Sequence, residues 1–144
     1  MKSRLDMPLS VVPEEEDNVR QRFANVQPFS AAQPSAVKQE PNMIHVIAAI
    51  EIAAGRREEF LAEFRRIVPL VRAEDGCLEY GPTIDVETNI AAQAEVRDNV
   101  VTVVEKWESI EALEAHLVAP HMLEYRARVK ELVVKAEIQV LRPA

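Results

Sequence analysis

Two histidines near the end of the chain, His116 and His121, are the side chains best suited to moving a proton near neutral pH. Imidazole titrates closest to neutrality, so either ring could take a proton from a weak acid such as a phenol. Tyr125 follows His121 by one helical turn and would share its face. Upstream, Glu105 and Trp107 are two residues apart in a β-rich run, which puts both on one side of a pleat. Trp107, the only tryptophan, offers a flat wall to an aromatic ligand, a role compatible with that of a large core residue. Tyr80 offers a phenol to a ligand or packs in the core. His45 reads as an interface or surface residue. Each histidine taken alone also fits a structural or solvated role, but at least one of the two is expected to face a pocket.

The missing motifs narrow the chemistry. Three glycines form no phosphate-binding loop, so bound nucleotide or flavin is not expected. There is no His-Glu-x-x-His run and no Cys/His pairing at zinc spacing. His116 and His121 with Glu105 or Glu124 would be the candidates for a metal site, but their spacing follows no metal-binding pattern. Gly-x-Ser-x-Gly is absent too. An enzyme built from this inventory would have to let its substrate supply the reactive electrons.

The elements that must position these residues lie in the second part of the chain. Residues 43–52 read as a strand ending in a turn at Ala53-Ala54-Gly55. Phe60, Phe64, Ile67 and Val71 form one apolar face of a helix over 56–74, with a kink or break expected at Pro69. A second strand spans 77–86, with a bulge or bend at Gly81-Pro82 and a wet side carrying Glu79, Asp85 and Glu87. A polar loop over 87–99 leads to the strongest strand, 100–107. Ser109 caps a short helix through Leu117, whose core stripe reads as Ile110, Leu113 and Leu117 with His116 on the flank. Pro120 opens another helical piece to about Val133, and 136–141 form the last strand. This order gives an α+β chain of the ferredoxin-like, split βαβ type. Two helices cover one sheet face. The other would carry Ile47, Val104 and Leu141 or, in the opposite register, Val46, Val103 and Val140. An uncovered apolar sheet of that size favours sheet-to-sheet homodimerisation.

Residues 1–42 hold five of the nine prolines and no glycine, and read as an N-terminal extension. It is largely linker-like, with a short helix possible over 13–26. Residues 43–144 form the one domain, which carries eighteen acidic against twelve basic side chains. With a net charge of −7 and no basic stripe, nucleic acid is not an expected partner. No run reaches the ~18 apolar residues of a membrane span, and the first residues lack a signal-peptide pattern. With a lone cysteine, Cys77, a reducing cytoplasm is the expected location.

Residues 43–144 resemble the antibiotic biosynthesis monooxygenase family, and within it the small bacterial quinol monooxygenases. The matching stretches are Ile67-Val-Pro-Leu-Val71 with Glu74-Asp-Gly-Cys77, then Glu105-Lys-Trp-Glu-Ser-Ile110. Leu113-Glu-Ala-His-Leu117 with Pro120-His-Met122, and Ile138-Gln-Val-Leu-Arg-Pro143, complete them. The resemblance implies a homodimeric α/β barrel with a pocket between sheet and helices in each subunit. It also implies oxygenation of a quinol-type aromatic by O2 without metal, flavin or haem. His116 is then the first choice of base and His121 the second. Trp107 forms the wall, and Tyr125, Tyr80 and Glu105 are substrate contacts. Haem-degrading relatives carry an asparagine, a tryptophan and a histidine where Ala48, His116 and about Arg126 stand here, which speaks against haem as substrate. Two other readings remain open: an isomerase of a small hydroxy-carbonyl compound, and a ligand-binding module without catalysis.

Overall fold

The computed structural model describes residues 42–144. Residues 1–41 of the extension, with the short helix expected over 13–26, lie outside the described residues. Four strands and three helices follow in the order β1 (Ile44–Ile52), α1 (Arg57–Arg72), β2 (Cys77–Thr83), β3 (Val100–Trp107), α2 (Ile110–Leu117), α3 (Pro120–Val129) and β4 (Val133–Leu141). The strands form one antiparallel sheet in the order β2-β3-β1-β4. This is the expected α+β, ferredoxin-like arrangement, with both strand-helix-strand halves crossing on the same face.

Strand alternation fixes which side chains face the helices. Ile44, Val46 and Ala48 of β1 pair with Trp107, Glu105 and Val103 of β3, and all six are buried. Phe60, Phe64, Ile67 and Val71 of α1 pack on them, each removing an apolar side chain worth about 1.5–3 kcal/mol from water. The register therefore puts Val46, Val103 and Val140 on the helix side and leaves Ile47, Val104 and Leu141 on the uncovered face.

Several local expectations change. Pro69 sits inside a continuous α1. Both Pro69 and Arg65, the residue whose carbonyl loses its helical bond, are exposed, so water can satisfy what the ring displaces. β2 ends at Thr83, and its irregularity falls between Cys77 and Glu79 rather than at Gly81-Pro82, which pair regularly with Val104 and Val103. Asp85 lies beyond the strand and accepts hydrogen bonds from Arg97 at 2.8 and 2.9 Å, which closes the loop back toward β3. Ser109 caps α2 as expected, its Oγ accepting from Ala112 N–H at 3.1 Å. The buried stripe of α2 is Leu113 and His116, however, and Ile110 is exposed.

Candidate functional site

The site begins at the turn that ends α1. Gly76 has φ +81, a left-handed conformation that a side chain resists. A Cβ there would also lie 2.7 Å from Cβ of Ala112. Only glycine lets the turn press this closely on the start of α2. Glu108 N–H then donates to Gly76 O at 2.9 Å and fastens β3 to the same turn. The consequence is felt two residues back, where Glu74 reaches the far end of α2.

Glu74 accepts from Nδ1 of His116, at 2.9 Å through Oε2 and 3.2 Å through Oε1. Its Oε1 also meets Nε2 of His121. One carboxylate thus bridges both histidines along a burial gradient, with side-chain exposures of 2% for His116, 14% for Glu74 and 25% for His121. An ionised carboxylate can only accept, so it holds the His116 proton on Nδ1 and leaves the Nε2 lone pair for a ligand. Burial lowers the His116 pKa, with Glu74 opposing and Arg126 and His121 reinforcing the shift, which favours the neutral ring. A neutral, oriented imidazole is the form a general base requires.

The opposite wall carries a second titratable group. Glu105 is 6% exposed and accepts from Trp107 Nε1 at 2.8 Å. Burial outweighs that bond and, with the nearby charge of Glu74, lifts its pKa to about 7. Tyr80 and Tyr125 are buried, which pushes their pKa values upward and keeps them as neutral phenols able to donate. Tyr80 stacks on Phe64 with centroids 5.5 Å apart and meets the His116 ring edgewise at 5.4 Å.

His116, Glu105, Tyr80 and Tyr125 all line one cavity of about 440 Å³ between the sheet and the helices. Ala48, Val103, Ile138 and Met122 are among its apolar lining residues. That volume is ample for a small ring system, within the ~300–1,000 Å³ usual for ligand sites. A larger, more open hollow of about 490 Å³ beside β2 is lined by Arg72, Leu78 and Val104 among others. Its lining contains no histidine, and its one carboxylate, Glu79, is exposed.

Two expected site residues stand elsewhere. Trp107 is fully buried and is not part of the cavity lining. Ending β3 beneath α2, it lies against His116 at a centroid distance of 4.7 Å and donates to Glu105, so it meets the site from behind through both residues. It backs the wall rather than forming it. His121 is likewise outside the lining and connects to it through Glu74. His45 lies across from Lys106 and Leu141, on the face away from the helices. Glu74 is the residue that sequence reasoning missed. It stood in the Glu74-Asp-Gly-Cys77 stretch before a helix-ending glycine, and its separation of 42 positions from His116 hid their approach. Among the described residues, no group of three or more His, Cys, Asp or Glu is arranged to hold a metal ion.

Comparison with known proteins adds a second line of observation. Residues 43–128 match the family model described as antibiotic biosynthesis monooxygenase. The chain is 41% identical over 103 residues to the probable quinol monooxygenase YgiN of Escherichia coli strain K12, a match covering 70% of this chain and 98% of that protein. Among solved structures, PA3566 from Pseudomonas aeruginosa superposes with a TM-score of 0.60 at 29% identity, over 72% of this chain and 96% of the other. Rv0793 from Mycobacterium tuberculosis superposes at 0.59 with 28% identity, over 72% and 96%.

Proposed function

This chain belongs to the antibiotic biosynthesis monooxygenase family, and from that premise we propose that it oxidises a quinol-type aromatic with O2 without a cofactor. The observation that carries the reading is His116, held by Glu74 at 2.9 Å, at the wall of an apolar cavity. His116 Nε2 takes a phenolic proton, and the resulting anion is electron-rich enough to pass one electron to O2. The radical pair recombines at a ring carbon, forming a C–O bond. Loss of water from that hydroperoxide leaves a hydroxylated quinone, and the proton held on His116 departs with the water. Four electrons leave the quinol; one oxygen atom enters the ring and the other becomes water. Without recombination, a second electron transfer gives the plain quinone and hydrogen peroxide. Glu105, Tyr80 and Tyr125 orient the phenolic oxygens, and fixing the reactants in an apolar site supplies most of the advantage.

The same reading includes a homodimer formed through the face bearing Ile47, Val104 and Leu141, a cytoplasmic location, and a catalytic domain starting at residue 43. Among the described residues, no helix is long and apolar enough to cross a membrane. Sedimentation at micromolar concentration giving a lone 16.2 kDa species would refute the dimer.

The decisive assay is oxygen uptake with a reduced menadione-type quinol after metal chelation, for wild type and His116→Ala. Wild type should consume O2 well above the buffer rate, and the variant should approach that background. A wild-type rate equal to background overturns the oxidase reading. Binding of a naphthoquinone without oxygen uptake would then leave a ligand-binding module, whereas turnover unaffected by removing air would point to an isomerase.

A further inference from the structure

The mouth of the cavity carries a charge pattern that oxidation of a neutral quinol does not require. Arg126 and Lys130 both line the cavity and are both exposed, which puts them where it opens to solvent. They are one turn apart, Arg126 on α3 and Lys130 at its C-cap, so they share a face. Among the described residues, neither makes an ion pair. Arg128, between them, turns away and pairs with Glu63 of α1 at 3.1 Å. The guanidinium of Arg126 is held in place by donating from one Nη to Leu117 O at 2.6 Å, which leaves its other N–H groups for a ligand. The domain has half again as many acidic as basic side chains, so two unpaired cations at the rim of an apolar pocket stand against the trend. Among the described residues, the one acid in the lining is Glu105, on the strand side.

We propose that the cavity takes an aromatic acid: a fused-ring hydroxyaromatic whose carboxylate, or an equivalent anionic group, pairs with Arg126 and Lys130 at the mouth. The proposal rests on reading this cavity as the quinol site, and it narrows the substrate class. A guanidinium reads a planar carboxylate through two parallel hydrogen bonds, and the ammonium adds a point charge. Repulsion from Glu105, when ionised, turns the acid group away from the strand wall. The hydroxylated ring enters first, toward His116. Substrates with the acid group would be favoured over neutral quinols of the same shape.

The test separates binding from turnover. 2-Naphthoic acid and its amide, which present no quinol to oxidise, are titrated by calorimetry into the full chain. Wild type should bind the acid about tenfold more tightly than the amide at low salt, the size expected for one charge-assisted pair at a partly exposed site. Salt near 1 M should erase most of that ratio, because screening acts on exposed charges. The ratio should fall toward one in Arg126→Gln/Lys130→Gln and persist in Arg128→Gln. Lys130→Gln alone gives an intermediate ratio and keeps the test decisive should loss of the Arg126 bond to Leu117 unfold the double variant. Equal binding of acid and amide by wild type, or binding of neither, overturns the proposal. Oxygen uptake with a neutral quinol reads the oxidation chemistry separately. A missing acid preference beside active oxidation sinks only the substrate class; an acid preference without oxidation sinks only the oxidase.

Discussion

Glu74→Gln tests the site where its components are most tightly coupled. Glu74 accepts from His116 Nδ1 at 2.9 Å and also meets His121, so the substitution removes one charge from two imidazoles at once. A hydrogen bond to a charged group is worth about 1.5–3 kcal/mol, which corresponds to roughly a 10–150-fold loss in kcat/KM if the bond is fully used in the transition state. The imidazolium formed as His116 takes the proton is the state that needs the carboxylate, so kcat should carry most of the loss. A glutamine that turns its amide N–H toward Nδ1 would also place the His116 proton on Nε2, the wrong nitrogen for a base facing the cavity. The pH profile has a determined sign. Glu74 opposes the burial that lowers the His116 pKa, so removing it lowers that pKa further. The acid limb of kcat/KM should therefore move to lower pH even as the plateau drops, while Glu74→Asp should keep the wild-type limb. Quinone formation followed by absorbance from pH 5 to 9 provides the measurement. An unchanged plateau and limb in Glu74→Gln would show that the bridge has no part in proton transfer.

Three further outcomes follow from the same geometry. Glu105 has a pKa raised to about 7 by burial, so it stabilises the fold most below its unfolded pKa and loses that contribution as pH rises through 7. Relative to Glu105→Gln, wild type should lose about 3 kcal/mol of unfolding free energy between pH 4 and pH 8.5, checked by urea denaturation at both; a constant difference refutes a buried, titrating carboxylate. Trp107→Phe deletes the Nε1–H bond that lowers the Glu105 pKa, so carboxyl carbon shifts in NMR should report a value above the wild type's, and an unchanged or lower value would contradict the contact. Gly76→Ala puts a Cβ 2.7 Å from Ala112 in a left-handed backbone and should cost at least about 2 kcal/mol, near 10 °C in Tm for a domain of this size; a wild-type Tm would mean the turn is looser than described.

The legible part of this protein lay in short-range pattern. The β-branched run at residues 100–104, the three- and four-residue spacing of Phe60, Phe64, Ile67 and Val71, and the Ser109 cap report local geometry. They were therefore enough to order the elements and name the fold. His116, Glu105, Tyr80 and Tyr125 were visible as candidates because their chemistry belongs to the side chain itself. The misplacements arose where burial depends on distant partners. Ile110 and His116 both lie on α2, and the strand and turn beneath the helix, not its own periodicity, bury the histidine and expose the isoleucine. Trp107 went from cavity wall to backing for the same reason.

The sequence by itself determined the strand and helix order, the family resemblance and the stock of proton-carrying side chains, since each follows from residue type and near-neighbour spacing. Only the tertiary structure decided which nitrogen of His116 meets a carboxylate, which carboxylate that is, and which of the two sheet faces the helices leave uncovered. Those choices depend on groups far apart in the chain. They are made when the tight turn at Gly76 brings the end of α1 against α2, and neither segment encodes that meeting alone.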